Sequence, residues 1–180
     1  MPNTVDIASI PGWQWPQMQS HWRQLLDGDI ENDAAVFELM MVRGFELSSF
    51  PVLYPYRVQS DTVRYDLEQI DGAFFTEWGF SCLVESKKFR SRINADPIGK
   101  LFTKLYRRPS STFGCFFSFS GYTESAIELA KFHGQHHIFL WEPDDINWAI
   151  EREDFRRAMW LKYQHAVQEN LQPNFLVSIG

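Results

Sequence analysis

The residues whose types and spacing most clearly indicate a chemical role are an aspartate and a Glu-x-Lys triplet downstream of it. Thirteen residues separate Asp71 from Glu85, and Lys87 follows two positions later. Side chains alternate between the two faces of a β-strand, so Glu85 and Lys87 are predicted to share one face. Charged groups on an otherwise apolar strand are costly to bury unless they are paired or bind a metal ion. The spacing therefore predicts a functional site on this strand.

A turn at Glu77-Trp78-Gly79 is predicted to fold the strand over 70–76 back onto the strand over 80–89, which would bring Asp71 beside Glu85. Two neighbouring carboxylates repel each other unless a cation lies between them. Mg²⁺ typically takes one or two carboxylates, with water and substrate phosphate as its other ligands. The ammonium of Lys87 could stabilise charge in a phosphoryl transition state or orient the attacking water.

The elements that must position these residues follow from hydrophobic periodicity. Helices are predicted over 16–26, 31–43, 97–108, 123–132 and 152–170. Further extended segments are predicted over 52–58, 62–67, 112–120 and 137–141. Gly44 is a predicted helix stop, and Asp144 or Asp145 is predicted to cap a turn. This order predicts an α/β layout with helices packed against a mixed sheet.

Composition limits the classes of protein that fit. The 180 residues suit one domain, and a hydrophobic content of 44% excludes general disorder. A net charge of -6 argues against a uniformly basic DNA-coating protein. Cys82 and Cys115 are predicted to be buried, reduced thiols, as expected in the cytoplasm. No apolar stretch reaches the roughly 18 residues of a membrane span, and the first residues do not read as a secretory signal.

The motif resembles a known family. Asp-x13-Glu-x-Lys, with Gly72 after the aspartate and an apolar strand around the second half, resembles the PD-(D/E)XK nuclease signature. The flanking helices, and a strand that ends in a small, polar turn within Phe117–Ala126, resemble the Mrr-like restriction endonucleases. The likeness covers about residues 30–145. No proline precedes Asp71, which departs from the signature.

The resemblance implies a restriction-endonuclease-like three-layer α/β/α fold with a central mixed β-sheet. We expect an N-terminal helical extension over 1–29, a nuclease-like core over 30–150 and a C-terminal helix over 151–180 that packs on the core. The implied catalytic residues are Asp71, Glu85, Lys87 and, from the helix before the sheet, Glu38, with Glu31 as the alternative. The implied metal ligands are Asp71, Glu85 and Ser86. They would bind Mg²⁺, for which Mn²⁺ would substitute.

A concentration of positive charge lies directly after the motif. Between positions 87 and 108 there are eight basic residues, opposed by Asp96 alone. Contacts with a phosphate backbone would account for this asymmetry in an acidic chain, although a solvated basic helix face would also produce it. The predicted nucleic-acid contacts are Lys88, Arg90, Arg92, Lys100, Lys104, Arg107 and Arg108.

These observations favour a metal-dependent endonuclease that hydrolyses DNA phosphodiester bonds, in the role of a restriction or anti-phage defence effector. The alternative is a catalytically inactive nuclease-fold module that binds nucleic acid or a protein partner. A third interpretation is an α/β interaction domain whose tryptophan-rich N-terminal helix forms an oligomer interface. Self-association as a homodimer and membership of a larger polypeptide both stay open.

Overall fold

The structure is a computed structural model that describes residues 2–59, 66–77, 79–132 and 137–168. A short 3₁₀ helix, Ile7–Gly12, comes first. The α-helices of the described ranges are α1 (Trp15–Asp27), α2 (Asp33–Leu47), α3 (Ala95–Leu105), α4 (Glu124–Phe132), α5 (Pro143–Glu151) and α6 (Phe155–Gln168). The strands are β1 (Val52–Leu53), β2 (Tyr56–Gln59), β3 (Asp66–Ile70), β4 (Gly72–Phe75), β5 (Ser81–Lys87), β6 (Thr112–Ser118) and β7 (Ile138–Trp141).

A mixed, five-stranded sheet forms the centre of the molecule. Its strand order is β1-β4-β5-β6-β7. The pairs β1–β4 and β4–β5 are antiparallel, whereas β5–β6 and β6–β7 are parallel. The parallel strands are connected through α3 and α4, since a parallel pair requires a long crossover rather than a tight turn. Strands β2 and β3 form a separate antiparallel ribbon. The predicted mixed sheet is confirmed.

Alternation along the central strands divides the apolar side chains between two cores. On β5, Cys82 and Val84 join a large cluster with the apolar faces of α1, α2, α5 and α6. Leu83 points the other way and joins a smaller cluster with α3 and α4. The same division occurs on β6, where Phe117 faces the large cluster and Phe116 the small one. The sheet therefore lies between two helical layers, which confirms the predicted α/β/α arrangement.

Three local predictions are wrong in instructive ways. Gly44 does not end α2, which continues to Leu47, because the glycine allows close packing against the ring of Phe155. Residues 143–151 form a helix rather than a turn, and Asp145 within it is fully buried in an ion pair with Lys162. The strand predicted over 70–76 is interrupted at Asp71, between β3 and β4.

The N-terminal tryptophans belong to the core of the same chain. Trp22 is fully buried and stacks near Phe37 of α2. Trp13 is buried as well, and its carbonyl accepts hydrogen bonds from Arg43. The rings of Trp13 and Trp22 are therefore packed inside the chain. They do not contribute to the surface that an oligomer interface would require. The division of the chain at 29/30 and 150/151 stays a prediction.

Two further features bear on the expectations from composition. Cys82 and Cys115 are buried free thiols whose sulfur atoms lie 3.4 Å apart, as predicted for reduced cysteines. No helix in the described part of the chain is both long and apolar enough to cross a membrane.

The packing of α2 against α6 generates a stability prediction. A Cβ atom at Gly44 would lie 2.7 Å from the ring of Phe155, whereas the nearest atom to a Cβ at Gly99 of α3 is 3.9 Å away. We expect Gly44→Ala to lower the free energy of unfolding by about 1–3 kcal/mol through overpacking. Gly99→Ala, the matched control, should raise it by roughly 0.5–1 kcal/mol through helix propensity. Urea denaturation measures both, and equal effects would contradict the close packing.

Candidate active site

The antiparallel pairing of β4 with β5 brings the predicted carboxylates together. Gly72 lies opposite Val84, so Asp71 comes level with the end of β5. Oδ2 of Asp71 accepts hydrogen bonds from the backbone N–H of Ser86 at 2.7 Å and from its hydroxyl at 2.9 Å. A Cβ atom at position 72 would lie 2.7 Å from the side chain of Val42, so the glycine is required for the close approach of β4 to α2. Ser86, which lies within the same motif, therefore orients the carboxylate of Asp71.

Glu85 and Lys87 emerge on the same face of β5, as the alternation predicted. The ammonium nitrogen of Lys87 lies 3.5 Å from Oε2 of Glu85 and 3.9 Å from Oδ2 of Asp71. It also donates a hydrogen bond to the carbonyl of Ser86 at 3.0 Å. Asp71 and Glu85 are both buried, at 8% and 6% exposed, although both side chains are ionisable. The structure therefore brings the three motif residues into one charged cluster.

Helix α2 adds a third carboxylate. Glu38 lines a cavity of about 560 Å³ together with Asp71, Glu85 and Lys87. Burial, and then the charge of Asp71, raises the pKa of Glu38 to about 7. Glu31 lies before the start of α2, is exposed and accepts a hydrogen bond from the hydroxyl of Thr4. Of the two glutamates considered from sequence, the structure brings Glu38 to the site.

Electrostatic crowding defines the chemistry of this cavity. Burial raises the pKa of Glu85, the charge of Asp71 raises it further, and Lys104 and Lys87 oppose the shift. Carboxylates that raise one another's pKa values at a cleft are typical of functional sites. A bound cation would relieve the same repulsion.

Lys104 of α3 occupies a position that the sequence did not reveal. Its ammonium forms a close ion pair with Oε1 of Glu85 and donates to the carbonyl of Gln69 at 2.8 Å. From sequence it was predicted to contact nucleic acid. The spacing along α3 is the signal that was missed. Leu101 is buried and lies three residues before Lys104, so the two side chains are neighbours on the helix face that points toward the sheet.

The remaining basic residues fall into two groups. Lys88 pairs with Asp33 at 3.0 Å and lies 3.8 Å from the centre of the Phe119 ring, and Arg108 pairs with Glu68. The other four predicted contact residues are exposed to solvent. They are Arg90, Arg92, Lys100 and Arg107. Arg107 is 62% exposed, although it lies 3.5 Å from Glu68.

Tyr54 is a neighbour of the site that sequence reasoning missed. Burial raises the pKa of its hydroxyl, and the charges of Glu38 and Asp71 raise it further. The tyrosine therefore lies within electrostatic reach of two of the carboxylates. It precedes Pro55 in a short irregular segment after β1, and no spacing rule relates that segment to the motif.

The donor set can be tested against the implied Mg²⁺. Among the described residues, no group of three or more His, Cys, Asp or Glu side chains is arranged to hold a metal ion. Mg²⁺ does not need such a group, because it is commonly held by one or two carboxylates with water and phosphate. Asp71 and Glu85, with the carbonyl of Ser86 next to Glu85 in sequence, supply hard oxygen donors of that kind. The residues present therefore fit the ion.

Comparisons with known proteins support the fold. The sequence matches no family model and no curated protein. One structural neighbour is the DNA modification-dependent restriction endonuclease AspBHI, with a TM-score of 0.52 and 16% identity over 93% of this chain and 44% of that one. Another is a protein of unknown function, AF1548, with a TM-score of 0.47 and 19% identity over 57% of this chain and 54% of that one.

The likeness to AspBHI, with the mixed sheet and its flanking helices, defines a restriction-endonuclease-like α/β fold. At 16% identity it establishes the fold alone. The chain spans less than half of AspBHI and about half of AF1548.

The raised pKa of Glu38 generates a prediction about stability. A carboxyl with a pKa of about 7 in the folded protein, against 4.5 when unperturbed, binds its proton more tightly in the folded state. Its stabilising contribution is complete below about pH 4.5 and is lost as the pH rises through about 7. Glu38→Gln should therefore gain stability relative to the wild type between about pH 5 and pH 8. Urea unfolding with EDTA measures the difference, and parallel pH profiles would contradict the assignment.

Proposed function

We propose that the chain is a metal-dependent nuclease that hydrolyses DNA phosphodiester bonds. The observation that carries this proposal is the meeting of Asp71, Glu85 and Lys87 in one cavity, which Glu38 of α2 also lines. The arrangement combines oxygen donors, a fixed ammonium and a concave surface. Phosphodiester hydrolysis requires all three, since the phosphate must be held, its charge offset and a water oriented.

Each residue then has a distinct role. Asp71 and Glu85 would hold Mg²⁺ together with the carbonyl of Ser86, and Mn²⁺ would substitute. When bound, the ion would offset charge on the phosphate and lower the pKa of a water molecule. Ser86 fixes Asp71 through two hydrogen bonds, so this carboxylate is oriented in advance.

Lys87 and Glu38 act on the reacting atoms. The Lys87 ammonium is held between Glu85, Asp71 and the Ser86 carbonyl, and from there it would stabilise negative charge on the phosphate oxygens. Glu38, with a pKa of about 7, is suited to accept a proton from water near neutral pH. Glu38 belongs to α2, whereas Glu85 and Lys87 belong to β5.

The biological setting follows from the same proposal. The name of AspBHI describes a restriction endonuclease that depends on DNA modification, and this chain matches 44% of its length. We propose a restriction or anti-phage defence role in which target choice comes from a partner or from further polypeptide.

A specific observation favours the alternative of a nuclease fold that only binds. Lys87 and Lys104 already pair with Glu85, so its charge is balanced by protein groups alone. A module of this kind would hold nucleic acid or a protein partner without any metal. Cleavage measurements separate the two functions.

The first experiment is plasmid cleavage with Mg²⁺, Mn²⁺ or EDTA. Asp71→Asn keeps a hydrogen-bond acceptor for Ser86 and removes the charge, and Lys87→Met keeps the apolar stem and removes the ammonium. We expect each to reduce the cleavage rate by at least about 100-fold, as for loss of one group that stabilises transition-state charge. EDTA should abolish cleavage by the wild type.

Arg23→Ala, at an exposed position on α1, is the matched control and should cut as fast as the wild type. Circular dichroism verifies that each variant is folded. Folded Lys87→Met protein that cuts at the wild-type rate would refute the catalytic assignment. Binding that persists in EDTA, without cleavage by any protein, would support the binding module.

The exposed basic residues generate a second prediction. Arg90, Arg92 and Lys100 lie on the segment that borders the cavity, and Lys100 also lines it. Replacing all three by alanine should weaken DNA binding and reduce the slope of log K against log salt by about 0.9 for each phosphate that the variant no longer neutralises. Fluorescence anisotropy in EDTA at several salt concentrations measures both. An unchanged slope would place the DNA elsewhere.

A further inference from the structure

Lys104 is held inside the cavity by two contacts. Its ammonium pairs closely with Oε1 of Glu85 and donates a hydrogen bond to the carbonyl of Gln69 at 2.8 Å. The Lys104 side chain is 19% exposed and that of Glu85 is 9% exposed, so the pair is only partly hydrated. The ammonium therefore contacts a carboxylate that the proposed function assigns to a metal ion.

The two lysines that contact Glu85 come from different elements of the fold. Lys87 comes from β5 itself and contacts Oε2 of Glu85, Oδ2 of Asp71 and the carbonyl of Ser86. Lys104 comes from α3 and contacts Oε1 of Glu85 alone among the carboxylates of the cavity. Lys87 is therefore built into the motif, whereas Lys104 reaches Glu85 from a neighbouring element.

The balance of charges explains why Lys87 and Lys104 cannot both keep their positions beside a divalent ion. Three carboxyl groups, of Glu38, Asp71 and Glu85, and three ammonium groups, of Lys87, Lys100 and Lys104, line the cavity. A divalent cation would leave the cavity with a net positive charge. Like charges repel strongly in a partly buried site, so a metal ion on the Glu85 carboxylate and the Lys104 ammonium on Oε1 of that carboxylate would compete for it.

We propose that Lys104 is a built-in competitor of the divalent ion, which holds Glu85 until a metal displaces it. This inference rests on the proposed function, because it requires the metal site there. Departure of Lys104 from Glu85 would place its ammonium at the cavity wall beside Lys100, where it can contact a phosphate. Substrate phosphate and metal ion would then favour each other, because the phosphate attracts the displaced ammonium and the metal ion keeps Glu85 occupied.

Direct metal binding tests the competition without any need for cleavage. Lys104→Met removes the ammonium and keeps the apolar stem, and it should increase the affinity for Mn²⁺ about tenfold in a calorimetric titration without DNA. Lys104→Arg keeps the positive charge and should bind Mn²⁺ as weakly as the wild type. Lys100→Met is the matched control, because Lys100 lies four residues earlier on α3 and lines the same cavity. It measures the general effect of removing a nearby charge.

A second measurement uses the unaltered protein. Acylation of lysines by an N-hydroxysuccinimide ester, quantified by mass spectrometry, should label Lys104 slowly in EDTA and several-fold faster in Mg²⁺. Lys131 of α4, which pairs with Glu128 outside the cavity, should be labelled equally in both conditions. Slower or unchanged labelling of Lys104 in Mg²⁺ would overturn the proposal.

The results distinguish this inference from the proposed function. Equal Mn²⁺ affinity in the wild type and in Lys104→Met, or weaker binding in the variant, would overturn the competition and leave the metal site standing. No Mn²⁺ binding to either protein would overturn the metal site itself, and the competition with it. A gain in Lys104→Met well above that in Lys100→Met would support both.

Discussion

Mutual repulsion among the carboxylates of one cavity is the constraint on which the rest of the site depends. Asp71 and Glu85 are almost fully buried, and Glu38 of α2 lines the same cavity. Buried like charges are tolerated only where hydrogen bonds and opposite charges compensate them. Ser86 supplies the hydrogen bonds to Asp71, and Lys87 and Lys104 supply the opposite charges. In this cavity burial, together with the neighbouring charges, raises the pKa values of Glu38 and Glu85.

The layers of the fold explain how such a system is placed in an apolar protein. The apolar faces of β5 and β6 are covered by α1, α2, α5 and α6 on one side and by α3 and α4 on the other. The charged end of β5 emerges where α3 leaves a cavity rather than a packed core. Parallel pairing of β5 with β6 holds Glu85 and Lys87 in register over the whole strand. Rigid strands are suitable positions for groups whose geometry must be fixed.

The spacing of residues along the chain made much of the fold and of the site predictable. The remaining features depend on tertiary packing. The alternation of Glu85 and Lys87, and the return of the chain to Asp71, follow from the period of a strand and one turn. The ion pair of Lys104 with Glu85 was not predictable, because it depends on the distance between α3 and the sheet. Gly44 illustrates the same limit, since its sequence signal is that of a helix stop and its role is contact with Phe155. Tyr54 reaches the site through an irregular segment that no periodicity describes.

The contact between Gly44 and Phe155 links α6 to α2, the helix that carries Glu38. Helix α2 carries both Glu38 and Gly44, and α6 carries Phe155, which is fully buried. The depth at which α2 sits on the sheet is thus set in part by the C-terminal helix. For protein engineering this means that α6 belongs to the smallest useful unit. Truncations or fusions that interrupt α6 (Phe155–Gln168) would disturb the packing of the helix that carries Glu38.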